Sequence, residues 1–254
     1  EISYSKSIEL DPDFNIALMN RAKLFFEEEE FEKALRDSDS LNTFDSRAFS
    51  LEILYALGRI EEIYERIEKN SKLDNENIRL AAFSSFLTEK EKKITSNNFC
   101  QNPLSFLYFS NIKFHCKNYV DFSSKIINDL SNVHTIWEPI SKTTRNGFQT
   151  PTNTNLFSES SKNILLLKSI ILNELDAYYS KFKEESCTYI QKWPSNKNLF
   201  AWHVILKKQG YQSAHIHPSG WLSGVIYLKV VPSLGKDEGA IELSLNGPNY
   251  SNLN

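Results

Sequence analysis

Residues 210–228 read Gly210-Tyr-Gln-Ser-Ala-His215-Ile-His217-Pro-Ser-Gly-Trp-Leu-Ser-Gly-Val-Ile-Tyr-Leu228. On a β-strand, residues two apart share a face, so this spacing predicts that His215 and His217 aim the same way. Neutral imidazole nitrogens bind divalent iron, zinc, copper or nickel, and two on one strand supply two adjacent corners of a metal site. A glycine-bounded turn and the apolar run Leu222 to Val231 follow. Further strands are expected over 199–206, 222–231 and 240–245, separated by Gly and Pro clusters. Short strands at that spacing, after a supporting helix, predict a β-sandwich or small barrel.

Upstream the texture changes. Seven of the eight glycines and all four tryptophans fall at or after Trp137, and only Gly58 lies earlier. Residues 1 to about 130 carry apolar side chains at helical spacing: Leu18, Ala22, Phe25 and Phe26, then Phe31, Ala34 and Leu35, then Leu51, Leu54, Tyr55 and Leu57. Asp11-Pro12-Asp13 stops one helix, with Asp13 expected to cap the next. The Thr-, Asn- and Gly-rich residues 143–155 predict an irregular loop. One more amphipathic helix is expected over 163–182, with Ile164, Leu167, Ile170, Ile171, Leu175 and Tyr178 on its apolar side. His115 and His134 have no partner at ligand spacing and read as structural.

Charge and cysteine content exclude several classes. The net charge of -3 provides no basic field for nucleic acid or an anionic membrane surface. No apolar run approaches the roughly 18–20 residues of a membrane span, and no basic segment precedes an apolar one at the start. The three cysteines, Cys100, Cys116 and Cys187, form no C-x-x-C pair. A reducing cytoplasm is the expected setting. The chain opens on Glu1 and its single methionine is the internal Met19, so a start upstream is expected.

The helical half contains a repeat. Phe25, Phe31 and Ala34 align with Leu54, Ile60 and Ile63 at an offset of 29, and Glu29 stands where Gly58 stands later. Phe25-x-x-x-Glu29-x-Phe31-x-x-Ala34 resembles the tetratricopeptide repeat. Leu54-x-x-x-Gly58-x-Ile60-x-x-Ile63 resembles a second, decayed copy, and Tyr4 to Pro12 the latter half of an earlier one. That resemblance implies a superhelical surface docking a protein or peptide partner. The alternative is a helical bundle packed on its own neighbour.

From Trp137 onward the chain resembles the 2-oxoglutarate/Fe(II)-dependent dioxygenases related to prolyl hydroxylases. Thr144-Arg-Asn-Gly-Phe-Gln-Thr150 with Asn155-Leu-Phe157, Trp202-His-Val204, the long block from His215, and Gly239-Ala-Ile-Glu-Leu243 carry the likeness in order. The resemblance implies a double-stranded β-helix (jelly-roll) holding Fe(II), with 2-oxoglutarate as co-substrate and no catalytic side chain beyond the metal ligands. His215 matches the first histidine of the family's His-x-Asp/Glu…His motif. His217 stands at the acid position, either as a ligand or beside a water held by a nearby acid. Tyr227 matches a position that hydrogen-bonds the 2-oxoglutarate carboxylate, whereas His203 matches no ligand position. After His217 there is no histidine and no arginine, so the family's distal histidine and carboxylate-binding arginine have no counterpart, and a fragment cut at both ends is expected. The fold expected is α+β: a tetratricopeptide-like helical region over 1–131, then an incomplete jelly-roll over 132–254. Two other functions stay open, a cupin-like metal-binding barrel and a non-catalytic repeat scaffold. A cupin expects a glutamate shortly after the second histidine, and Pro218 to Leu222 contains none.

Overall fold

Helices fill the first half because most of them bury side chains that recur every three to four residues. The computed structural model describes residues 1–140, 142–158, 161–232, 235–247 and 250. Helix α1 (Ile2–Leu10) stops at the Asp11-Pro12-Asp13 break, and α2 (Asn15–Glu27) follows. Phe14, not Asp13, occupies the capping position of α2. The Asp13 amide instead donates to the Asp11 carboxylate at 3.2 Å, which turns the chain locally and removes Asp13 from the cap. Helices α3 (Phe31–Asp39), α4 (Phe44–Ala56), α5 (Ile60–Lys69) and α6 (Ile78–Glu91) complete the array. Thr43 and Ser46 cap α4 reciprocally, each hydroxyl accepting the other's amide at 3.1 Å. Glu61 and Glu62 in the first turn of α5, with Arg66 and Lys69 in its last, complement the helix dipole.

The offset of 29 is visible in the backbone. Between α2 and α3, the Glu30 amide donates to the Phe25 carbonyl at 2.8 Å and that of Glu29 to Phe26 at 3.1 Å. Between α4 and α5, Arg59 donates to Leu54 at 2.9 Å and Gly58 to Tyr55 at 3.0 Å. Both turns are the paired 6→1 and 5→2 closure that ends a helix on a left-handed residue. That residue is Glu29 at φ 60 in one and Gly58 at φ 71 in the other. Glutamate is strained there and glycine is not. Glu29→Gly is therefore expected to stabilise the protein by about 0.5–1 kcal/mol, read as a shift of the urea midpoint at unchanged slope.

Arginine–carboxylate pairs tie successive units. Glu32–Arg59, Asp39–Arg66, Arg47–Asp74 and Glu52–Arg79 are each separated by 27 residues. The first two are solvent-exposed and contribute little. Asp74 and Glu52 are 1% and 2% exposed, so their charges depend on the partner arginines. The core between the helices gathers Phe49, Leu54, Ile63, Phe83 and Leu87. Tyr250 enters the same core, its ring 5.1 Å from Phe83 and 4.5 Å from Phe86.

The second half is built on two helices and a small sheet. Helix α7 (Tyr119–Ser131) packs Phe122, Ile126 and Leu130 against Ile164, Leu167 and Ile170 of α8 (Lys162–Phe182). The short α9 (Thr188–Gln191) adds Tyr189 and Ile190 to a third cluster, where Phe99, Cys100, Tyr178 and Phe182 meet Trp193 and Trp221. Strands β1 (Ile136–Trp137), β2 (Thr144–Gln149) and β3 (Val204–Gln212) form one antiparallel sheet in that order. Trp137 pairs with Phe148, Thr144 with Gln212 and Gln149 with Val204, with a bulge between Arg145 and Gly147. At the bulge a Cβ on Gly210 would lie 2.5 Å from the Asn146 carbonyl, and one on Gly147 2.9 Å from that of Ile205. Only glycine permits so close a backbone approach.

The chain is thus α+β, but the strand expectations need correction. Residues 144–149, expected within a loop, are a strand, because pairing with β3 outweighs their polar composition. The strand expected over 199–206 runs instead over Val204–Gln212. Residues 199–201 are held by Asn155, whose side chain donates to the Leu199 carbonyl at 3.1 Å and accepts from the Ala201 amide at 3.0 Å. Those expected over 222–231 and 240–245 do not form, and among the described residues the sheet has three strands rather than a double-stranded β-helix. Alternating apolar residues suit a sheet, yet a ladder needs a facing strand. Among the described residues none lies alongside, and Val225, Val230, Val231 and Ile241 stand exposed.

Candidate metal centre

Strand β3 delivers the histidine pair without containing it. Residues 213–217 lie just past its end, outside any strand, which corrects the expectation that both imidazoles project from one strand face. The amide of Ser213 still donates to the Thr143 carbonyl at 3.0 Å, extending the pairing by one step. His217 then opens a turn over Pro218 and Ser219 that closes when the Gly220 amide donates to the His217 carbonyl at 3.1 Å. Proline second and glycine fourth suit such a turn. Trp221 anchors the far end: its indole N–H donates to the Tyr189 carbonyl at 3.1 Å, and its ring lies 5.2 Å from Phe99.

Between these anchors the two imidazoles meet edge-to-face, ring centres 4.8 Å apart. Nδ1 of His215 lies 2.7 Å from the Ser213 carbonyl. As a donor there, Nδ1 fixes the tautomer that leaves Nε2 free as a ligand. His217 packs 5.4 Å from Trp202. Burial, then the nearby His215 and Lys142, push its imidazole below the ordinary value, so it is neutral at pH 7, as a metal ligand must be. Two imidazole nitrogens fit two adjacent positions of a divalent-metal site. Among the described residues no third His, Cys, Asp or Glu joins them. Among the described residues the donor set is half built.

His203, at the entrance to β3, belongs to a polar seam instead. Its Nδ1 lies 3.0 Å from the Thr150 hydroxyl, which also accepts the His203 amide at 3.0 Å. Burial lowers its pKa, and its Nε2 is buried with no hydrogen-bond partner among the described residues. The seam continues where the Thr144 hydroxyl donates to the Gln149 side-chain Oε1 at 2.6 Å and accepts from the Gln212 side-chain Nε2 at 3.3 Å. Tyr227 lies in the irregular segment after the metal turn with nearly half its surface exposed. His115 hydrogen-bonds Glu174, which also accepts from Tyr108 at 2.9 Å and Ser110 at 2.8 Å. Burial works to raise the Glu174 carboxyl, but those hydrogen bonds outweigh it and hold it below the usual range. The cluster ties the irregular segment before α7 to α8.

Sequence reasoning missed Lys142 as a neighbour of the pair, Thr150 as the partner of His203, and the Trp221 anchor. It also missed a cleft of about 370 Å³ beside the metal turn, where Pro218 and Ser219 face Thr43, Asp45 and Glu76 of the helical array. No local signal marks any of them, since each depends on chain segments distant in sequence. Among the described residues, no helix is long and apolar enough to cross a membrane.

Residues 200–251 match the model of the family described as "Putative 2OG-Fe(II) oxygenase". The match spans about a fifth of the chain and contains His203, His215, His217, Trp221 and Tyr227. No curated protein and no solved structure matches the chain. The segment carrying the histidine pair is therefore similar to an oxygenase domain, a class that uses Fe(II) and 2-oxoglutarate.

Proposed function

We propose that this chain is part of a 2-oxoglutarate- and Fe(II)-dependent oxygenase that hydroxylates a partner docked through the helical array. The observation that carries this is the His215–His217 pair, held edge-to-face between β3 and the Trp221 anchor inside the family-matched segment. Bound Fe(II) with 2-oxoglutarate supplies the oxidising chemistry, the co-substrate being converted to succinate. The chain's own share is to present two nitrogens in fixed geometry and to shelter His217 beside Trp202. Tyr227 is assigned to the co-substrate carboxylate, and the three strands to one part of a jelly-roll. Successive helix hairpins with the same left-handed closure support a tetratricopeptide-like superhelix able to hold a protein or peptide. The compartment that suits such a protein is the cytoplasm.

The test is iron-dependent succinate release from 2-oxoglutarate by the full-length gene product. Turnover that stops with a chelator and returns with Fe(II) is expected. Metal uptake without turnover points to a cupin-like binding barrel, and no metal uptake at all to a repeat scaffold; either result overturns the oxygenase reading.

A further inference from the structure

We propose that Cys100 and Cys187 are a dithiol pair that closes into a disulfide, clamping the segment after α6 to the start of α9. Three cysteines without a C-x-x-C spacing carry no such signal in the sequence. The fold nevertheless brings two of them together. The amide of Thr188 donates to the Asn98 carbonyl at 3.2 Å and that of Tyr189 to Phe99 at 2.9 Å, laying the two segments side by side. Both cysteines belong to one apolar cluster, and Cys187 is near enough to Cys100 to disfavour its charged form. Cys116 packs in a different cluster, beside α7 and α8, and serves as an internal control.

The two thiols differ in the way an oxidisable pair requires. Cys187 is partly exposed, whereas Cys100 is buried. Burial, then the neighbouring Cys187, push the Cys100 thiol up to about 12, so Cys100 is not the thiolate that meets an oxidant. Cys187 is the first to react. With hydrogen peroxide as oxidant, its thiolate attacks one peroxide oxygen; the S–O bond forms, the O–O bond breaks, and the departing hydroxide is protonated to water. The Cys100 sulfur then attacks the Cys187 sulfur. The S–S bond forms as the S–O bond breaks, and the leaving hydroxide takes up the Cys100 proton as a second water. Two thiols lose two electrons in all, and one peroxide becomes two waters.

The clamp lies next to the seat of the metal turn. Tyr189, two residues beyond Cys187, receives the Trp221 indole on its carbonyl and donates its amide to Phe99, beside Cys100. A bridge at this point fixes the seat on both sides. Transient, redox-sensing disulfides are the kind found in reducing compartments. The pair stands whether or not the chain is an oxygenase.

The experiment is to treat the chain with hydrogen peroxide, alkylate the remaining thiols, digest without reductant and identify peptides by mass. A linked Cys100–Cys187 peptide with alkylated Cys116 is expected. Because the bridge closes a long loop, the oxidised form should melt about 5–10 °C above the reduced one. The Cys187→Ser protein should lose both the linked peptide and the shift, and Cys116→Ser should keep both. Since Cys187 is only partly buried, its serine variant keeps the test valid if Cys100→Ser fails to fold. Full alkylation of Cys100 and Cys187 after oxidation, accumulation of Cys187 sulfinic acid without a bridge, or links only between separate molecules would each overturn the proposal.

Discussion

Glu52→Ala is expected to destabilise the protein by about 3–5 kcal/mol. Glu52 lies on α4 with 2% of its surface exposed, and its carboxylate accepts from Arg79 Nε at 2.9 Å and Nη2 at 3.1 Å. The Arg79 guanidinium sits 5.3 Å from the centre of the Phe49 ring, pressed into the helical core. Burial alone disfavours its charge, and the Glu52 carboxylate is the main force that restores it. Without that carboxylate the cation stays in an apolar setting with its principal counter-charge gone. Removing both partners is a different matter, since a pair replaced by apolar residues of similar volume is often neutral. Glu52→Leu combined with Arg79→Met should recover most of the loss. Urea unfolding followed by far-UV circular dichroism decides it. A single-variant loss under about 1 kcal/mol, or no recovery in the double variant, would contradict this account.

The second large effect concerns metal. His215→Ala should weaken Fe(II) binding by more than about 100-fold, exceeding the 10–100-fold typical when only an outer-shell partner is lost. The reason is geometric: the Ser213 carbonyl orients the His215 ring, and its centre is 4.8 Å from that of His217. Removing one ring leaves a lone imidazole. Anaerobic titration calorimetry with Fe(II) reads the difference, and His217→Ala should show the same loss if it ligates directly. His203→Ala is the control, because that imidazole is committed to Thr150 and its removal should leave the metal in place. Stoichiometric iron retained by the His215→Ala protein would refute the ligand assignment.

How far the sequence could be read follows the range of the interactions involved. The helical half was legible because each helix carries its own evidence. Phe25, Ala34, Leu54 and Ile63 were identified by spacing, and all four are buried. Even the odd placement of Glu29 against Gly58 proved to be one left-handed turn used twice. The sheet was less legible, because a strand is defined by its neighbour. Residues 144–149 look like a loop until β3 is placed beside them, and residues 222–231 look like a strand but have no facing partner among the described residues. His215 and His217 stay neighbours for a local reason, since residues two positions apart remain close whatever the backbone does. Cys100 and Cys187 could not be paired from the sequence at all.

Tyr250 has a consequence for how the protein is made. Its ring completes a core whose other members end with α6. A ribosome adding about 5–20 residues per second needs roughly 10–30 s to travel from the end of that helix to residue 250. Until residue 250 is added, Phe83 and Phe86 lack their last cover. The stretch of synthesis between them is the period in which a chaperone has most to protect.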